Sequence, residues 1–168
     1  NIQAIDIPYA NENYSLTILL PKVIDQINSL VEDMSSDIFN DIVNNFDADT
    51  VNFYFPKLEI EYKKKLKSTL IGMGMVLPFG GNADFSEMFE NTDAFIKRVI
   101  QKSFLKINEE GTEAAAATMV EMWEKSGTGD NEELTFKVNK PFLMFIREKQ
   151  SGTILFTGKI MEPVWEEE

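Results

Sequence analysis

Residues Glu109 to Ser126 read EEGTEAAAATMVEMWEKS, a run of small residues that ends at one cation in acidic surroundings. From Gly111 to Thr118 no side chain is larger than threonine except Glu113. Alanine favours helices, so the tetra-alanine alone fits an exposed helix or a linker. Period two gives a second reading. Thr112, Ala114, Ala116, Thr118, Val120 and Met122 form one uncharged face, and Glu113 and Glu121 fall on the other. A half-buried strand has this pattern, and small side chains at its leading end lower the barrier to slipping between existing strands. Lys125 is the sole basic residue between Lys106 and Lys137, a span that holds eight carboxylates. A protease whose specificity pocket carries a carboxylate finds one target there.

Strand-like runs flank the stretch. Ala94 to Ile107 is β-compatible throughout, Leu134 to Val138 alternates, and Pro141 to Arg147 pairs with Gly152 to Ile160 as a hairpin around Glu148 to Ser151. Further back, Ile2 to Pro8 and Tyr14 to Pro21 bracket the polar cluster Ala10 to Asn13 and predict another hairpin. Between Val23 and Phe46 the apolar spacing shifts to three and four, which predicts two amphipathic helices, with Ser35 or Ser36 capping the second. Val51 to Tyr62 reads as two strands joined at Pro56, and Leu66 to Met75 as a helix ending near Gly72 and Gly74. Phe85 to Phe89 reads as one helical turn.

Composition narrows the chemistry. A chain of 168 residues suits one domain that buries about 70% of its unfolded surface. A net charge of −12 argues against a nucleic-acid or acidic-membrane partner, and no apolar run approaches the ~20 residues of a membrane span. Without cysteine or histidine there are no disulfides, thiolate nucleophiles, imidazole bases or zinc sites built on those side chains. The carboxylates Asp84, Glu87, Glu90 and Asp93 lack the alternation and central glycine of a calcium loop and read as charged surface. Lys63, Lys64, Lys65 and Lys67 invite a polyanion, although a solvated strand or helix end fits an acidic chain better. Asn13-Tyr14-Ser15 is a sequon in a turn that permits glycosylation of a secreted protein, although such triplets arise often by chance and that reading is favoured.

The segments IPYANENYSLTILLP, FPKLEIEYKKKLKSTLIGMGM, the hinge-like EEGTEAAAAT and NKPFLMFIREKQSGTILFTGKIMEP, in this order along the chain, together resemble the C-terminal half of an inhibitory serpin. The resemblance implies an α+β fold of mostly antiparallel strands with short helices and an exposed reactive loop over about 109–133. It implies a suicide substrate and no enzyme: a protease cuts the loop and forms an acyl-enzyme, the hinge enters the large sheet as a new strand, and the protease is dragged and distorted. Strand completion and burial supply the drive. The hinge maps onto Glu109, Glu110, Gly111, Thr112, Glu113, Ala114, Ala115, Ala116, Ala117 and Thr118. The family's spacing from Glu109, 17 positions inclusive, lands on Lys125, so Lys125 and Ser126 form the reactive bond.

The expected partner is a trypsin-like serine protease, with lysine-preferring cysteine proteases compatible with the same loop. No cofactor, metal or nucleic acid is implied, and the expected setting is extracellular. Gln101 stands where the family commonly has histidine, so gating by that imidazole must differ. Serpins are about twice this length, so the receiving strands are expected N-terminal to Asn1 and the 168-residue chain alone is expected not to inhibit. A non-inhibitory carrier, chaperone or storage serpin is the alternative, although such members carry bulky or charged hinges.

Overall fold

A computed structural model describes residues 2–10, 12–48, 50–89, 93–107, 118–121 and 134–164, with the backbone alone at 48 and 118–121. Two compact units emerge, one made of Asn1–Leu58 with Ile107–Glu168, the other of Glu59–Lys106.

The first unit is built on the expected N-terminal hairpin. Strands β1 (Ile2–Pro8) and β2 (Tyr14–Pro21) pair antiparallel with Ala4 opposite Leu19 and Asp6 opposite Thr17. β9 (Phe142–Glu148) joins the far side of β2, and β10 (Ile154–Ile160) joins β9. β7 (Thr118–Glu121) lies against β1, and β3 (Asp47–Ala48) lies against β7. The order β10-β9-β2-β1-β7-β3 explains the sequence texture. β2 and β9 are interior strands buried on both faces, which calls for nearly continuous apolar runs. Gly152, at φ 71°, supplies the left-handed backbone that turns β9 towards β10.

Two short helices cover one face of this sheet, α1 (Ile27–Asp33) and α2 (Ser36–Asn44). Ser35 caps α2, its Oγ accepting from the Ile38 amide at 3.3 Å. Ile27, Phe39 and Ile42 descend onto Ala4, Leu19, Leu143 and Phe145 to form the core. Each such side chain contributes about 1.5–3 kcal/mol by leaving water. Phe39 and Phe145 meet at a centroid separation of 4.7 Å with planes tilted by 49°. Beside them, β4 (Val51–Tyr54) runs parallel to β8 (Leu134–Lys137), with Phe53 level with the fully buried Phe136. That parallel pairing joins segments about eighty residues apart and has no local signature.

The second unit holds a two-stranded ribbon of β5 (Leu58–Lys65) and β6 (Ile100–Ile107), whose outermost residues Leu58 and Ile107 belong to the first unit. α3 (Lys67–Gly72) follows β5 and stops before Gly74, at φ 96°. The Lys67 ammonium lies 5.6 Å from the centre of the Phe79 ring. The β-compatible run from Ala94 enters the ladder only at Ile100. Its earlier part bonds elsewhere, the Ile96 amide donating to the Pro78 carbonyl at 2.8 Å.

Candidate functional site: the segment between β6 and β8

β6 delivers the chain into the opening stretch and β8 receives it, as the two flanking strand signals predict. Of the expected hinge, Glu109, Glu110, Gly111, Thr112, Glu113, Ala114, Ala115, Ala116 and Ala117 lie outside the described residues, and so does the expected reactive bond Lys125-Ser126. Thr118 is described in its backbone and opens β7.

β7 places four residues of the stretch in a ladder. Thr118 stands opposite Asp6 of β1 and Ala48 of β3, Met119 opposite Ile5 and Asp47, and Val120 opposite Ala4. The period-two alternation anticipates a strand here, but sequence reasoning treated the whole stretch as loop and did not find these partners. The physical reason is the outer edge of β1, which presents backbone N–H and C=O groups that a strand satisfies. Alternation in local sequence states that a segment can be a strand and leaves open which edge it meets.

Sequence reasoning also missed a polar constellation beside that ladder. The Arg147 guanidinium on β9 donates through Nη2 to Asp6 Oδ2 at 3.0 Å and through Nε to Thr17 Oγ1 at 3.2 Å. The Thr17 hydroxyl in turn donates to Asp6 Oδ1 at 2.6 Å. All three are buried, so the only signal was one carboxylate and one guanidinium inside otherwise apolar strands. Asp6 therefore sits between this network and the β7 ladder, its backbone facing Thr118. Among the described residues no group of three or more His, Cys, Asp or Glu is arranged to hold a metal ion. Strands β6 and β8 stand at the two sequence ends of this segment, and β7 carries its described part.

A family model described as "Serpin (serine protease inhibitor)" matches residues 1–163. Human Serpin B3 is 37% identical over 163 residues, covering 96% of this chain and 41% of that protein. The leukocyte elastase inhibitor of Xenopus tropicalis is 36% identical over 173 residues, covering 97% of this chain and 44% of that protein. The chain thus spans about two-fifths of the length of the curated relatives it matches. Among solved structures, thyroxine-binding globulin in complex with thyroxine superposes with a TM-score of 0.74 at 25% identity, covering 97% of this chain and 45% of that one. A serpin from the trematode Schistosoma haematobium gives 0.77 at 25% identity, covering 97% and 42%. By its sequence over residues 1–163 and by its backbone, the chain belongs to the serpin family.

Proposed function

We propose that the protein to which this chain belongs inhibits trypsin-like serine proteases as a suicide substrate, cut between Lys125 and Ser126. The observation that carries this is the coincidence of two independent readings on one residue. Lys125 is the single cation between Lys106 and Lys137, and it is the position the family spacing reaches from Glu109. From Gly111 to Thr118 the hinge carries no side chain larger than threonine except Glu113, which falls on the face opposite Thr112, and this suits a segment that must enter a sheet interior. Relatives named for inhibition of an elastase support a protease partner in general, and the lysine directs the choice toward trypsin-like enzymes. A lysine-preferring cysteine protease is accepted by the same loop, and an extracellular setting accords with the exposed Asn13 of the sequon.

The testing experiment incubates the full-length protein with trypsin. A denaturant-resistant complex, with cleavage mapped to Lys125-Ser126 and lost in Lys125→Ala, is the expected result; a first cut elsewhere removes the assignment. A carrier role is the second reading, favoured by the thyroxine-binding neighbour. Thermal unfolding of the loop-cleaved protein separates the two readings, since an insertion-competent serpin gains stability on cleavage and a carrier with an inert loop does not.

A further inference from the structure

Helix α3 ends in a defined stop. Beyond its last residue, Gly72, Met73 takes the capping position and Gly74 turns left-handed at φ 96°. The Gly74 amide donates to the Ile71 carbonyl at 2.9 Å, and the Met75 amide donates to the Leu70 carbonyl at 2.9 Å. These two bonds are those of a Schellman motif, which satisfies carbonyls that the helix end leaves open. The motif is accompanied by an apolar contact between the residue after the left-handed glycine and one in the last helical turn. Met75 and Leu70 hold those two positions. With six residues, α3 is too short to persist on propensity, so its stop matters.

The stop also aims the chain. Leu77–Phe79 follows as a 3-10 turn, with the Phe79 ring buried 5.6 Å from the ammonium of Lys67, the first residue of α3. The Pro78 carbonyl in that turn accepts from the Ile96 amide at 2.8 Å, ahead of β6. Met75 thus stands at the joint between α3 and this turn. Its thioether is open to water: Met73 is 78% exposed, Met75 and Met161 are each 47% exposed, and Met144 is 1% exposed. A Cβ added at Gly72 or Gly74 would meet no heavy atom within 4 Å among the described residues, so an oxidant reaches this joint freely.

We propose that Met75 is an oxidation site that controls the stop of α3, with hydrogen peroxide as the oxidant. A sulfur lone pair attacks one peroxide oxygen, the S–O bond forms as the O–O bond breaks, and the departing hydroxide takes up the proton of the transferred oxygen as water. Sulfur loses two electrons and the peroxide gains them. The sulfoxide is polar and seeks water, yet it occupies the motif position that calls for an apolar side chain. It draws away from Leu70, and the two capping bonds open. Met73 is more exposed, but its side chain has no place in the motif, so its oxidation leaves the stop intact. Methionine sulfoxide reductases return the thioether, which makes the change reversible.

The experiment treats the protein with hydrogen peroxide in timed steps, locates sulfoxides by peptide mass mapping and follows amide hydrogen exchange at Gly74 and Met75, with circular dichroism confirming that each variant is folded. Conversion of Met75 lowers the protection of these amides at least about fivefold, and sulfoxide reductases restore it. Met75→Leu, apolar and inert to peroxide, keeps its protection throughout, whereas Met75→Gln, polar and of similar length, loses it without peroxide. Met73→Leu behaves as the parent, and so does Met161→Leu, which removes a methionine of equal exposure in the first unit. The proposal is overturned if Met75 survives while Met161 is converted, if protection is unchanged once Met75 is converted, or if Met75→Leu loses protection in peroxide as the parent does.

Discussion

Arg147 on β9 reaches over the whole width of β2 to place Nη2 3.0 Å from Asp6 Oδ2 on β1, with 7% and 8% of the two side chains exposed. Thr17, on the intervening strand, bonds to both. Three neighbouring strands are thereby tied in one register by a network that excludes a one-residue slip, since a slip would bury each charge without a partner.

Removing one member should be far worse than removing the pair. Arg147→Met leaves the Asp6 carboxylate buried and is expected to destabilise by about 3–5 kcal/mol, whereas Arg147→Met with Asp6→Leu recovers most of that loss. Urea unfolding of the singles and the double measures the coupling directly. Equal losses in single and double variants would contradict it.

Ser15 tests the same region with the opposite sign. Its hydroxyl oxygen is buried and has no hydrogen-bond partner among the described residues, although the residue stands opposite Arg147 in the ladder. Ser15→Ala is expected to be neutral or stabilising, by up to about 1 kcal/mol, while Thr17→Val, which breaks two bonds, costs about 1–3 kcal/mol. Thermal melts should leave Ser15→Ala at or above the parent midpoint and move Thr17→Val below it.

Phe39 carries the helix-to-sheet contact through its ring pairing with Phe145. Phe39→Ala is expected to cost about 3–5 kcal/mol, because the void lies between elements that relax only in part. Phe39→Leu, which keeps most of the volume, should lose clearly less in the same denaturation assay.

The β9–β10 turn gives a pH-dependent signature. The Ser151 hydroxyl, then the Ser151 and Gln150 amides, donate to the Glu148 carboxylate and hold its pKa below the ordinary carboxylate range. A group whose folded pKa is lowered contributes stability that is present above the unfolded pKa and is lost as the pH falls through the folded one. Ser151→Ala should therefore raise the Glu148 titration midpoint seen by NMR, moving the acid weakening of the hairpin to higher pH. An unmoved midpoint would detach Glu148 from Ser151.

For the full-length protein, Thr112→Arg tests the hinge. On the proposed mechanism an arginine there would enter the sheet interior without a partner, at a cost of several kcal/mol, so the protein should be cleaved by trypsin at Lys125 yet form little stable complex. Unchanged inhibition would contradict insertion through Thr112.

Local pattern alone made both hairpins, the two short helices with Ser35 capping the second, and the proline break at Pro56 legible, because side-chain period and turn chemistry act within a few residues. The family motifs, spread over the same chain, went further and named the fold. Long-range pairing was decided only in the tertiary structure. It set β4 parallel to β8, seated β7 against β1, and drew Arg147 to Asp6 across 141 positions of sequence. Such contacts arise where one strand edge or one buried charge finds the partner that satisfies it, and that complementarity exists only once distant segments have met.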